Sequence, residues 1–338
     1  MITTIIPTYR RPERLKKAIQ SVLRQTYPHF QICIYDNASG DATGDIVAEF
    51  SQDSRVKYQC HAENIGSIEN FQLGLSRVET PFFSFLSDDD FLFPGFYEET
   101  LRGFEKFPTA IFSAGAVVDV DDEGRIIDII LSKWPDKEFF SPPDGLLEMI
   151  GKYSNWAGVL FRKEIIEKIG FLDPHLKAID VDYLLRAAAH VPFAISKKPV
   201  AVFVQHPSSY SGKNGFKLIY PGWPMMADKM KKDLNLPLTV RNKVEQLLQR
   251  DFLNLLLRHG IRSIAKRQIE ETQAILDILK QHPFIKSNEL RRRWIILLLA
   301  ISIKICKPLP LLLKLRRFCL RRIRRAKHGL ILDKYSNE

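Results

Sequence analysis

Cysteine is scarce in this 338-residue chain: Cys33, Cys60, Cys306 and Cys319 stand far apart, and no Cys-x-x-Cys pair occurs. That spacing argues against a zinc site and a disulfide framework and points to a reducing compartment. No basic segment, apolar stretch and cleavage site precede the strand-like residues 2–6, so a signal peptide is not expected and a cytoplasmic location is. The apolar stretch 294–303 ends at Lys304, well short of the roughly twenty residues that cross a bilayer. Internal repeats and low-complexity segments are also missing. Acidic residues are absent from positions 290–332, where thirteen Lys and Arg fall between Arg291 and Lys327. The net charge of +11 therefore belongs to the tail, and the rest of the chain carries −2.

What is present describes a globular protein with a sizeable core: 45% hydrophobic and 26% charged residues. β-type apolar runs at 2–6, 31–35, 56–59 and 82–86 alternate with helix-period segments at 15–24, 45–50, 68–75 and 96–106. This alternation predicts βαβ units, hence an α/β fold with a Rossmann-like, mostly parallel sheet flanked by helices. Ligands of such sheets gather at the carboxyl ends of the strands. Pro7-Thr8-Tyr9, Asp36-Asn37 and residues 87–90 all stand at such ends. After Gly215 the pattern becomes helical, with Val240, Val244, Leu247, Leu248, Phe252, Leu255 and Leu256 in register. The expected organisation is a catalytic-type α/β domain over 1–215, a helical extension over 216–290 and a basic amphipathic tail over 291–338.

Three consecutive carboxylates, Asp88, Asp89 and Asp90, interrupt the apolar segment 81–94. Negative charge at the end of a buried strand is costly unless neutralised, and a hard divalent cation with oxygen ligands does this. The alternative is a plain turn, because Asp hydrogen-bonds its own backbone.

The surrounding motifs carry a specific resemblance. Ile5-Ile-Pro-Thr-Tyr9 with Arg11, Ser21-Val-Leu-Arg-Gln-Thr-Tyr27, Ile34-Tyr-Asp-Asn-Ala-Ser-Gly-Asp41, Glu63-Asn-Ile-Gly66 and Leu86-Ser-Asp-Asp-Asp90 resemble the successive signatures of family 2 glycosyltransferases of the GT-A fold. Gly158-Val-Leu-Phe-Arg162, Gly170-Phe-Leu-Asp173, Asp180-Val-Asp-Tyr-Leu-Leu-Arg186 and His206-Pro-Ser-Ser extend the likeness over roughly residues 1–211. The resemblance implies an inverting, metal-dependent transferase using Mn²⁺ or Mg²⁺ and a nucleotide-diphosphate sugar, UDP-sugar favoured. Pro7, Thr8 and Tyr9 would line the base pocket, and Asp36 would accept the imide N–H of uracil or the N1–H of guanine. Asn64 and Gly66 would approach the base or ribose, with Asn70 a weaker candidate. Asp89 is the implied metal ligand, Asp88 the ribose or phosphate-side partner, and Asp90 a support or acceptor contact. The commonest family form has Asp where this chain has Ser87.

Inversion requires a general base for the acceptor hydroxyl. Asp180 matches the second acid of the family's Glu-Asp motif, with Ile179 in place of the Glu; Asp182 is the alternative base. Arg186 would pair with either acid or with phosphate. His206 resembles a position that supplies a further metal or diphosphate contact. Trp156 and Trp223 either stack on sugars or belong to the core. The tail's basic residues alternate with Leu and Ile rather than with stacking aromatics, which suits an anionic membrane surface better than nucleic acid; a helix hairpin is the alternative. The expected acceptor is a glycan or polyprenyl-linked saccharide, met by a peripheral protein on the inner face of the cell membrane. Two rivals remain: a non-catalytic membrane-associated nucleotide-sugar or glycan binding protein, and a sugar nucleotidyltransferase. Against the second, the first strand ends without a glycine-rich, lysine-bearing phosphate loop.

Overall fold

Ile2–Thr8 forms strand β1 of this computed structural model, and all seven residues are buried. The structure describes residues 1–209, 220–266 and 268–281. A strand apolar on both faces has to be covered on both. On one face Ile2 and Ile6 share a core with Leu15, Ala18, Ile19 and Val22 of helix α1 (Pro12–Leu23). These four residues recur at helical spacing, and Pro12 opens the helix where its missing N–H costs nothing. On the other face Ile5 meets Gly74 of α3 (Ser67–Ser76) so closely that a β-carbon there would lie 2.5 Å from Ile5 Cγ2. Alternation along the strand thus assigns α1 and α3 to opposite faces.

β2 (Phe30–Asp36) and β3 (Val56–Cys60), linked by α2 (Thr43–Ala48), continue the sheet on one side of β1, and β4 (Phe82–Phe85) joins on the other; all four are parallel. Beyond β4 follow β9 (Val159–Arg162), β6 (Phe112–Asp121), β10 (Phe193–Gln205) and β5 (Phe91–Leu92). β7 (Ile126–Ile130) pairs with β6 and β8 (Phe139–Phe140) with β10. The expected α/β class with flanking helices is found, and the longest strand pairings, β1 with β2 and β6 with β10, are parallel. Shorter antiparallel strands complete the sheet: of its nine pairings four are parallel and five antiparallel, because β9, β5, β8 and the β6–β7 hairpin run against their neighbours. Hairpins need only short turns, and residues 121–125 supply one, with Gly124 at φ 74°.

β9 is antiparallel to both β4 and β6, so these two reversals return β6 and its parallel partner β10 to the direction of β1. The carboxyl ends of β1, β2, β4 and β10 consequently share one edge of the sheet. The remaining helices of this unit are α4 (Phe96–Lys106), α5 (Asp144–Met149), α6 (Ile165–Ile169) and α7 (Ile179–His190).

The described residues up to Ser209 form one compact unit and those from Tyr220 another. The second unit consists of α8 (Gly222–Lys232), α9 (Leu238–Ala265) and α10 (Ile269–Gln281), with α9 packed on both others. Val244, Leu248, Phe252 and Leu256 of the expected helical pattern are buried. Trp223 is buried beside them, its indole N–H donating to Asp251 Oδ2 at 2.8 Å, which makes it a core residue. Among the described residues no helix is long and apolar enough to cross a membrane. The 215/216 boundary and the tail over 291–338, with Cys306 and Cys319, lie outside the described residues.

Candidate active site

Four strand ends build the site. Thr8 closes β1, Asp36 closes β2 directly beside it in register, residues 87–90 turn after β4, and His206 follows β10. Leu86 still donates to Ile5 O at 3.0 Å, which fixes the acidic turn against β1, and Asp90 N–H closes the turn on Ser87 O at 3.1 Å.

Each aspartate of the turn has a different set of partners. Asp88 Oδ2 accepts from the Thr8 hydroxyl at 2.7 Å and from Tyr9 N–H at 3.4 Å, and its Oδ1 accepts from Arg11 Nη1 at 2.9 Å. Asp89 Oδ2 receives the same Arg11 nitrogen at 2.7 Å and stands 2.9 Å from His206 Nε2. Asp90 Oδ1 accepts from Val204 N–H at 2.9 Å, which pins the acidic turn to the end of β10. Three adjacent carboxylates in a buried setting resist full ionisation. Burial, with Asp89 beside it, pushes the Asp88 carboxyl up to about 6 against the opposing pull of Arg11. Burial and then Asp89 raise Asp90 well above the usual carboxylate range. For Arg11, burial alone would lower the value, and Asp88 and Asp89 outweigh it to give a net rise.

The two expected metal ligands lie together, with Asp89 Oδ2 2.9 Å from His206 Nε2, a hydrogen-bond distance that is also close to the roughly 3 Å between adjacent corners of a cation's octahedron. No cluster of three or more His, Cys, Asp or Glu that would enclose a cation exists among the described residues.

A second group sits at the end of β2. Asp36 is 2% exposed and accepts from Ser39 N–H at 3.0 Å and the Tyr58 hydroxyl at 2.6 Å. Burial, followed by Asp36, raises the Tyr58 phenol, so the hydroxyl stays a donor to this carboxylate. Asn37 N–H donates to Thr8 O at 2.9 Å, tying this group to the acidic turn. Asn37 also exchanges hydrogen bonds with the next loop, donating to Asn64 Oδ1 at 2.9 Å and accepting from Ile65 N–H at 2.8 Å. Asn64 is exposed, and its NH₂ has no partner among the described residues. Gly66, at φ 100°, occupies a backbone conformation that disfavours any side chain and sets the entry to α3. Asn70 is spent inside the protein, holding Tyr35 O at 2.8 Å and His61 Nε2 at 2.8 Å.

The third group lies on α7. Asp182, with its side chain 1% exposed, receives Arg186 Nε at 2.9 Å, while Arg186 also donates to Phe171 O at 2.8 Å and to Ile169 O. Arg186 takes the acid pairing that was one of its two expected contacts, and the pair fastens α7 to residues 169–171. Asp180 is only half-buried at the first turn of α7, and burial raises its carboxyl above the ordinary range despite a bond from the Val181 backbone. Trp156 is buried between Phe71 and Phe85, at ring separations of 4.7 Å and 4.6 Å, so it is core rather than a sugar platform.

Sequence reasoning gave no site role to Arg11, Tyr58 or Ser208. Arg11 carried a signal: a cation at a helix N-terminus opposes the helix dipole, so it calls for an acid nearby. Tyr58 carried none, since β3 shows no alternating burial.

The carboxyl edge of the sheet thus presents a buried aspartate at the end of β2, an acidic turn after β4 and a histidine after β10. Residues 3–170 match the family model described as Glycosyl transferase family 2, and the chain belongs to that family through this segment. Over 173 residues it is 27% identical to the GalNAc(5)-diNAcBac-PP-undecaprenol beta-1,3-glucosyltransferase of Campylobacter jejuni, a match covering 50% of this chain and 54% of that relative. It spans only 19% to 21% of the Rickettsia glycosyltransferases that it also matches. The fold matches S. aureus TarS 1-349 in complex with UDP-GlcNAc, with TM-score 0.62 and 14% identity over 90% of this chain and 91% of that one. It also matches the mannosyltransferase PcManGT of Pyrobaculum calidifontis in complex with GDP-Man and Mn²⁺, with TM-score 0.54 and 13% identity over 90% and 86% of the two chains.

Proposed function

We propose that the protein is an inverting, divalent-metal-dependent glycosyltransferase that moves a sugar from a nucleotide-diphosphate donor, UDP-sugar favoured, to a glycan or lipid-linked saccharide. The observation that carries this reading is the acidic turn fastened between Thr8 of β1 and His206 after β10, at the edge where Asp36 also emerges. The neighbours' UDP-GlcNAc and GDP-Man support a nucleotide-sugar donor, the Mn²⁺ of one supports a cation, and the undecaprenol-linked substrate in a relative's name supports a lipid-linked acceptor.

In this mechanism Asp36 accepts the base N–H, with Tyr58 and Ser39 holding the carboxylate, and Pro7, Thr8 and Tyr9 wall the base. Asn64, with Gly66 opening its loop, offers its NH₂ to base or ribose. Asp89 and His206 would hold Mn²⁺ or Mg²⁺, with Asp88 on the ribose or phosphate side. When bound, the cation would supply Lewis-acid stabilisation of the departing diphosphate. Asp90 keeps the turn in place through Val204. The acceptor oxygen attacks the anomeric carbon as the bond to the diphosphate breaks, and Asp180 takes the hydroxyl proton. Asp182 is buried and paired, which leaves Asp180 as the base. The protein would work in the cytoplasm at the inner face of the membrane, where the basic tail meets anionic lipid.

The test is a panel of UDP-, GDP- and dTDP-sugars with Mn²⁺, reading nucleoside diphosphate release with and without acceptor. Release with at least one donor is expected, and Asp89→Ala should abolish it. Failure to bind any donor overturns the transferase reading; wild-type turnover by Asp89→Ala overturns the metal assignment.

A further inference from the structure

The acidic turn is neutralised by the chain itself. A single Arg11 nitrogen, Nη1, bridges Asp88 Oδ1 at 2.9 Å and Asp89 Oδ2 at 2.7 Å, with the Arg11 side chain 23% exposed and the two carboxylates 6% and 9%. Nη2 of the same guanidinium donates to Ser208 O at 3.0 Å. Ser208 Oγ lies 2.7 Å from His206 Nδ1, and His206 Nε2 returns to Asp89 Oδ2. The result is a closed ring of contacts with a fixed positive charge between two carboxylates.

We propose that Arg11 is an internal counter-ion: it holds the acidic turn in the ligand-free protein and leaves it when a divalent cation and a diphosphate arrive. This rests on the donor-site reading above. Asp89 Oδ2 already receives both Arg11 and His206, and a cation bound there would bring a second positive charge within a few ångströms of the guanidinium. Like charges so close repel strongly where water is largely excluded. The side chain has a route outward because it is not fully enclosed, whereas its backbone is held: Arg11 caps α1 and precedes Pro12, which restricts its φ and ψ. Arg10, in the left-handed region at φ 54°, is tied by its N–H to Ser39 Oγ at 2.8 Å and by Nε to Ser39 O at 3.0 Å. The guanidinium therefore swings without the loop moving, and a diphosphate is the ligand its planar fork matches.

Two consequences separate this from a static salt bridge. A cation alone binds weakly, because it has to displace Arg11 with nothing to receive the guanidinium. Cation and nucleotide bind with positive coupling, since the diphosphate takes up the displaced charge. The coupling would be built into Arg11 rather than into the metal ligands.

The experiment measures Mn²⁺ binding by the electron paramagnetic resonance of free Mn²⁺, alone and with UDP, for wild type, Arg11→Gln and Arg11→Lys. Expected for wild type is weak Mn²⁺ binding that tightens by about tenfold or more with UDP, and for Arg11→Gln binding of Mn²⁺ alone about tenfold tighter than wild type. Arg11→Gln should lose most of the UDP enhancement, whereas Arg11→Lys, which keeps the charge, should bind Mn²⁺ alone as weakly as wild type. If wild type binds Mn²⁺ with UDP but Arg11→Gln binds Mn²⁺ alone no better, the counter-ion role is overturned and the donor site stands. If no protein binds Mn²⁺ even with UDP, both fall. Should Arg11→Gln fold only with Mn²⁺, the cation has replaced the missing charge as proposed; failure of Mn²⁺ to restore a misfolded variant counts against the role.

Discussion

Asp180 and Asp182 stand two positions apart at the start of one helix and face different surroundings. Asp182 is enclosed and held by Arg186, whereas Asp180 keeps part of its surface open and has no cationic partner among the described residues. Burial raises the Asp180 carboxyl, which makes it a stronger base than an ordinary aspartate. The sign follows directly: a base works deprotonated, so activity falls on acidification, and a raised value places that fall above the usual aspartate midpoint of about 3.9. Asp180→Asn is expected to lower kcat by about 10²- to 10⁴-fold, in the range of a lost general base, with UDP affinity unchanged. Pre-steady-state sugar transfer and calorimetric UDP titration separate the two effects. Wild-type kcat in Asp180→Asn, or an acid limb at the ordinary carboxylate value, would remove Asp180 from the mechanism.

At the scale of the element, the acidic turn is the part of the site that the sequence announced most clearly. Residues 87–90 follow an apolar strand, and a strand that ends in charge has to be neutralised or turn into solvent; the motifs at the other strand ends, rather than the three acids alone, singled it out as a candidate site. The β1 and β2 ends were legible as apolar runs closed by Thr8 and Asp36. The cation that neutralises the turn was not, because Arg11 is 77 positions from Asp88 and only the order of strands brings the two together. The antiparallel insertion of β9 was hidden as well: three apolar residues and an arginine, flanked by helical turns, read alike in either direction. The turn's charge also predicts a pH effect. Asp88 sits at about 6, above its unfolded value, so its contribution to stability is present below about 3.9 and is lost as pH rises through 6. In the ligand-free protein the ionised turn therefore costs stability at neutral pH. Mn²⁺ with UDP should raise Tm more at pH 7.5 than at pH 5, because at pH 5 binding must first expel the Asp88 proton. Calorimetric melts at both pH values check this, and an equal or larger shift at pH 5 would contradict it.

For the whole molecule, the asymmetry of charge suggests where the protein works. Residues 291–327 carry thirteen Lys and Arg, while the remainder of the chain is at −2, so attraction to an anionic leaflet has to come from this segment. The same segment contains the apolar stretch 294–303, too short to span a bilayer and long enough to insert beside headgroups. A surface held by charge responds to salt, since the screening length shrinks from about 10 Å at 0.1 M to about 3 Å at 1 M. A surface held by apolar insertion does not respond in this way. Flotation with vesicles containing phosphatidylglycerol should therefore recover the full chain at low salt, recover less of it in 1 M NaCl, and recover little on neutral phosphatidylcholine vesicles. A chain ending at Glu289 should stay at the bottom of the gradient with its UDP binding intact, which separates loss of attachment from loss of folding. Undiminished flotation of that shortened chain would place the membrane contact on the folded units, and an acceptor delivered by lipid would then have to approach a surface with no excess of positive charge.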